Sequence, residues 1–82
     1  MMSNYEYDLQ NLREDLKDEL LAINNYQRHI DATGNSEIRE ILSHIRDEEK
    51  EHVAELTHLI RRLDATENDK FIEEEGGSAE AA

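Results

Sequence analysis

The chain contains no cysteine, no proline and no tryptophan, and only three glycines in 82 residues. Each absence removes a class of architecture. Without cysteine, neither disulfide bonds nor a thiolate zinc site can hold so short a chain together. Without proline, breaks in regular structure fall to Gly34, Gly76 and Gly77 alone. No apolar run approaches the ~20 residues of a membrane span. The opening Met1-Met2-Ser3-Asn4-Tyr5-Glu6 lacks the basic and apolar regions of a secretory leader. A soluble, cytoplasmic protein is the expectation. Cations are scarce as well: 9 Lys and Arg against 21 Asp and Glu leave a formal charge of −12. Such a balance repels phosphate backbones, which argues against nucleic acid as a partner. The length allows one domain whose core is marginal when alone, so a metal or a second copy must contribute stability.

What the chain does contain is helical punctuation. Ser3-x-x-Glu6 fits a capping box. Tyr5, Leu9, Leu12, Leu16, Leu20, Ile23 and Ile30 then recur at spacings of three, four and seven, which define one helical face. Ala32-Thr33-Gly34-Asn35-Ser36 supplies a glycine stop and a fresh N-cap. The second apolar series is Ile38, Ile41, Leu42, Ile45, Leu56, Leu59, Ile60 and Leu63, with Arg61 and Arg62 near the negative end of the helix dipole. Two helices of about 27 residues, each ~40 Å long, joined by a short loop, predict an antiparallel hairpin. The fold class is therefore all-α, with residues 1–64 as a hairpin domain that pairs with a second copy to make a four-helix bundle. Residues 65–82 are expected to form a short weak helix over 66–75 and a disordered tail from Gly76 onward.

The chemistry stands out as a violation of the second series. With Ile45 at zero on a wheel of about 100° per residue, its apolar members fall between about −40° and +60°. Glu49, near +40°, and His52, near −20°, occupy that same stripe, where an apolar residue is expected. His44, Glu51, Glu55 and His58 fall near −80° or beyond and read as solvent-facing. A Glu-x-x-His spacing places a carboxylate and an imidazole on one helix face within reach of one metal ion. Leaving both buried without partners would cost several kcal/mol in a core with little to spare. Di-iron carboxylate bundles complete such a pair with a Glu from another helix. Glu19, at the edge of the first stripe about −60° from Leu16, is the candidate bridge. Tyr26, one heptad further on, is a candidate hydrogen-bond partner for a ligand.

The block Arg46-Asp47-Glu48-Glu49-Lys50-Glu51-His52, preceded by Ser43-His44-Ile45, resembles the encapsulated ferritins, small two-helix proteins of the ferritin-like group. Carried without gaps back through Asp31-Ala32 to Tyr26, the resemblance covers roughly residues 14–63 and places Glu19 on the family's helix-one metal ligand. It implies that two chains share a di-iron ferroxidase centre built from paired Glu19, Glu49 and His52. It also implies a ring of such dimers, a decamer, held in an encapsulin nanocompartment. The iron would be oxidised by dioxygen or peroxide and passed to storage. Relatives carry further acidic residues near the helix-one ligand, where this chain has Asp18 but Leu21. Their tryptophan is Asn25 here, and the tail shows no hydrophobic and basic shell-targeting peptide. Two other functions use the same residues: a non-redox iron or zinc carrier, and a structural dimerisation module in which Glu49 and His52 pair across a seam.

Overall fold

A computed structural model describes residues 3–80, with side-chain surroundings up to Gly76. The described residues form three helices and no strand: α1 spans Asn4–Ala32, α2 spans Ser36–Leu63, and α3 spans Ala65–Glu80. The capping box is present at the start of α1. Ser3 Oγ accepts the Glu6 N–H and Glu6 Oε2 accepts the Ser3 N–H, each at 3.2 Å. Asn35 caps α2 by accepting the N–H groups of Glu37 and Ile38.

The turn between these helices is made differently from a glycine stop. Thr33 ends α1 in an extended conformation, and among the described residues neither Gly34 nor any other has a positive φ. Arg39 reaches back from the first turn of α2 and donates to the Thr33 carbonyl at 2.7 Å. That bond satisfies a carbonyl near the end of α1, a task a left-handed glycine usually serves.

Three cross-helix pairs fix the direction of the long helices. Gln27 meets Arg46, Glu19 meets His52 and Arg13 meets Asp64, so one number rises as the other falls and α1 and α2 lie antiparallel. Leu9, Ile30 and Ile60 are the buried core, with Ile60 only 1% exposed. Leu12, Leu16, Ile23, Leu42, Val53 and Leu56 are half-buried between the helices. Ile38, Ile41 and Leu20 remain exposed although all three belong to the apolar series. One partner helix covers only part of each stripe.

Asp64 joins all three helices. Its Oδ2 accepts from Arg13 of α1 at 2.6 Å, and its Oδ1 accepts the Glu67 N–H that opens α3. Helix α3 packs on α2 and not on α1. Arg61 holds it, bonding Asn68 at 3.0 Å while its guanidinium lies 4.6 Å from the Phe71 ring centroid. With extents of 46 × 44 × 15 Å the molecule is a flat angle, α3 projecting from the end of the hairpin.

The C-terminal expectation needs correction. The last helix begins one residue before Thr66 and continues through Gly76 and Gly77 to Glu80, where a disordered tail was expected. Glycine lowers helix propensity by about 1 kcal/mol but keeps its N–H, so the hydrogen-bond ladder is weakened rather than cut. Ala81 and Ala82, the rest of the expected tail, lie outside the described residues.

Candidate metal centre

The centre is assembled from two helices. Glu19 comes from the middle of α1; Glu49 and His52 come from successive turns of α2. The rise of ~1.5 Å per residue stacks positions 49 and 52 along one side of α2. The antiparallel packing brings Glu19 opposite them. His52 Nδ1 lies 3.4 Å from Glu49 Oε2 and 3.6 Å from Glu19 Oε2. One ligand atom from each of the three residues lies within 4.8 Å of the others. Carboxylate and imidazole ligands sit about 2.0–2.2 Å from a small divalent ion, so donors on one ion are at most ~4.4 Å apart. A side-chain shift of a few tenths of an ångström brings all three onto one ion.

The donor set suits a hard or borderline cation. Two carboxylates supply two negative charges, and a neutral imidazole supplies one nitrogen. Three residues leave such an ion open to further ligands. The Glu49 and Glu19 side chains are 18% and 27% exposed, whereas His52 is 47% exposed. In the single chain, therefore, His52 is the least covered of the three. On α2, Leu42, Val53 and Ile60 are more covered than His52, which shares its side of the helix with the exposed Ile41.

A groove of about 760 Å³ opens on the centre, lined among others by Asp15, Asp18, Glu19, His52, Glu55 and His58. Glu55 and His58 read from the sequence as solvent-facing, and both are exposed, yet they share the groove with Glu19 and His52. Asp15 carries a signal in the sequence, since it stands four residues before Glu19 on the same helix face, and Asp18 follows Asp15 by three. Tyr26 is half-buried and lies outside both the triad and the groove lining. His44 is set apart as expected. It is exposed and pairs with Glu48 at 2.6 Å on its own helix.

The sequence pattern of the EncFtn-like family matches residues 1–74, nearly the whole chain. The chain belongs to the EncFtn-like family. No curated protein and no solved structure matches it. Membership in this ferritin-like group makes the fold and a role connected with iron family properties, and all three members of the triad fall inside the matched region. Among the described residues no helix is long and apolar enough to cross a membrane. The Asp47 carboxyl, two residues before Glu49, is held below the usual carboxylate range chiefly by its hydrogen bond from Arg46.

Proposed function

We propose that this EncFtn-like chain is one half of a ferroxidase that oxidises ferrous iron at a di-iron centre shared by two subunits. The observation that carries the reading is the convergence of Glu19, Glu49 and His52 at the rim of an apolar stripe that one hairpin leaves open. Two chains meeting along that stripe would form a four-helix bundle and cover Ile38 and Ile41. They would also bring together four carboxylates and two imidazoles, a donor set for two irons. Glu49 and His52 would hold one iron per chain, Glu19 would bridge, and Tyr26 would support a ligand through its hydroxyl. The iron is substrate. Each ferrous ion gives up one electron; a dioxygen molecule taking two electrons and two protons leaves as hydrogen peroxide, and peroxide taking two more leaves as water.

The acidic groove and the charge of −12 would draw cations toward the centre. A hairpin of this size cannot enclose a mineral, so the ferric product would pass to a separate compartment. An encapsulin-type shell in the cytoplasm, loaded with rings of these dimers, is that compartment in our reading.

Anaerobic ferrous titration followed by native mass measurement tests the assembly, because binding at a shared site adds to association free energy. The expected result is one iron per chain and a shift toward dimers and their multiples, reversed by chelation. An unchanged oligomer distribution with and without iron would overturn the metal-linked assembly. Oxygen uptake on admitting air tests the redox step. Stoichiometric binding without uptake would make the protein a carrier instead.

A further inference from the structure

One polar network in the hairpin takes no part in the centre or its groove. Arg46 is half-buried, its side chain 19% exposed, at a point where the chain has few cations to spare. Its Nη1 donates to Gln27 Oε1 at 2.8 Å across the helix interface. Its Nε and Nη2 both lie 3.1 Å from Asp47 Oδ1. Gln27 is held in turn, donating its amide to Asp31 at 2.9 Å. The result is a chain of four side chains, Asp31, Gln27, Arg46 and Asp47, in which the guanidinium edge and the amide group each face fixed partners.

The position of this chain matters more than its strength. Arg46 is one turn before Glu49 on α2, and none of the groove-lining residues belongs to the network. Aliphatic residues stand about one turn to either side on the two helices: Ile23 and Ile30 flank Gln27, and Leu42 precedes Arg46, all buried or half-buried. Aliphatic contacts fix how close two helices come, but similar side chains can exchange neighbours with little loss when a helix slides or turns. A polar pair across such a seam has one good alignment, which is how single buried polar residues set register in paired helices. The planar guanidinium sharpens this effect, since its donors are rigidly oriented.

We infer that Arg46 and Gln27 are positioning residues that set the axial register of α2 against α1, and so place Glu49 and His52 opposite Glu19 at metal-binding separation. This deepens the ferroxidase reading and rests on it. A shift of 1 Å along the seam spoils the fit of three donors around one ion, and misplacements of that size are costly at reactive centres. The Arg13–Asp64 pair at the open end of the hairpin is the natural control. It also joins α1 to α2 through an arginine, at 2.6 Å, but it stands three turns from His52 on α2.

The experiment uses the full chain, anaerobic, with Co(II) alone as the probe, whose visible absorption reports coordination geometry. Five variants are compared with wild type: Arg46→Met, Arg46→Lys, Gln27→Leu, Arg13→Met and His52→Ala. The wild-type band should be abolished by His52→Ala. Arg46→Met and Gln27→Leu should each raise the Co(II) dissociation constant about 10- to 100-fold and alter the band shape. Arg13→Met should stay within about twofold even if its thermal stability falls as far. Arg46→Lys keeps one donor without the planar fork and should recover only part of the affinity. A band and affinity unchanged in both Arg46→Met and Gln27→Leu would overturn the register role while leaving the metal centre standing. Equal losses in Arg13→Met would overturn it too, by making the effect one of general stability. If wild type shows no His52-dependent band, the metal centre itself fails and the register role with it. Should Arg46→Met not fold, Gln27→Leu alone decides, since it removes one acceptor and leaves the arginine able to bond Asp47.

Discussion

Two places on α2 put a histidine beside a glutamate, and they differ in almost everything that matters. His44 and Glu48 are 2.6 Å apart, closer than His52 and Glu49 at 3.4 Å. Yet His44 and Glu48 stand 76% and 51% exposed, with no ion-pair partner from another helix among the described residues. Glu49 is largely covered, and a carboxylate from α1 stands 3.6 Å from His52. Proximity within one helix is cheap, since any residues three or four apart are neighbours, and an exposed pair of this kind contributes little. Convergence from two helices requires the whole interface to hold. The Glu19 carboxylate is therefore what separates a candidate centre from an ordinary surface pair.

The strongest way to break this comparison is to remove that carboxylate and keep its shape. Glu19→Gln preserves size and hydrogen bonding but loses the anion that offsets the metal charge. The rate of ferric absorbance growth after mixing ferrous iron with oxygen is expected to fall by about 100-fold or more, a usual cost of removing one such electrostatic contact. A rate within a factor of about two of wild type would reduce Glu19 to an edge residue, and the two histidine sites would then be equivalent.

Next in size is the contrast between the histidines themselves. His52→Ala is expected to slow oxidation about 10- to 100-fold, the range seen when metal surroundings are disturbed. His44→Ala should remain within about twofold. Equal losses in both would mean that the acidic surface as a whole, and no defined centre, handles the iron.

Most of this was legible in the sequence, and the reasons are specific. The helices announced themselves through Ser3, Asn35 and the apolar spacing, because capping and periodicity are local. Glu49 and His52 were visible because they break an apolar pattern, and Glu19 because it sits at the edge of one. The exposure of His52 was not legible, since a wheel shows which face is apolar but not how much of it one partner covers. Arg46 was hidden for the opposite reason. At about +100° on the wheel it reads as a solvated cation, and only the docking of α1 reveals Gln27 opposite it. Helix α3 ran past Gly76 and Gly77 because two glycines weaken a helix without ending it.

The smallest expected effect concerns the loop, which the comparison treats as a mere join. Gly34 has no positive φ, and a Cβ placed there meets nothing within 4 Å. Gly34→Ala should therefore stabilise the chain by about 0.4–1 kcal/mol, by restricting the unfolded state, with iron oxidation unchanged. A lower melting temperature would show that the turn depends on glycine after all and that the loop helps hold the two helices in place.

The three cross-helix pairs also imply an order of assembly. Gln27 and Arg46 are 19 residues apart in the chain, whereas Arg13 and Asp64 are 51 apart. Closing a longer loop costs more, though only slowly, about 0.6 kcal/mol for each doubling. The hairpin should therefore close from residues 33–35 outward: first at Arg46, then at the metal ligands, and last at Asp64. The same carboxylate that ends this sequence also caps α3 through its other oxygen, so the last contact of the hairpin and the first turn of the projecting helix meet at one residue. A chain still emerging from synthesis would have its three metal ligands aligned before Arg13 met Asp64 at the open end.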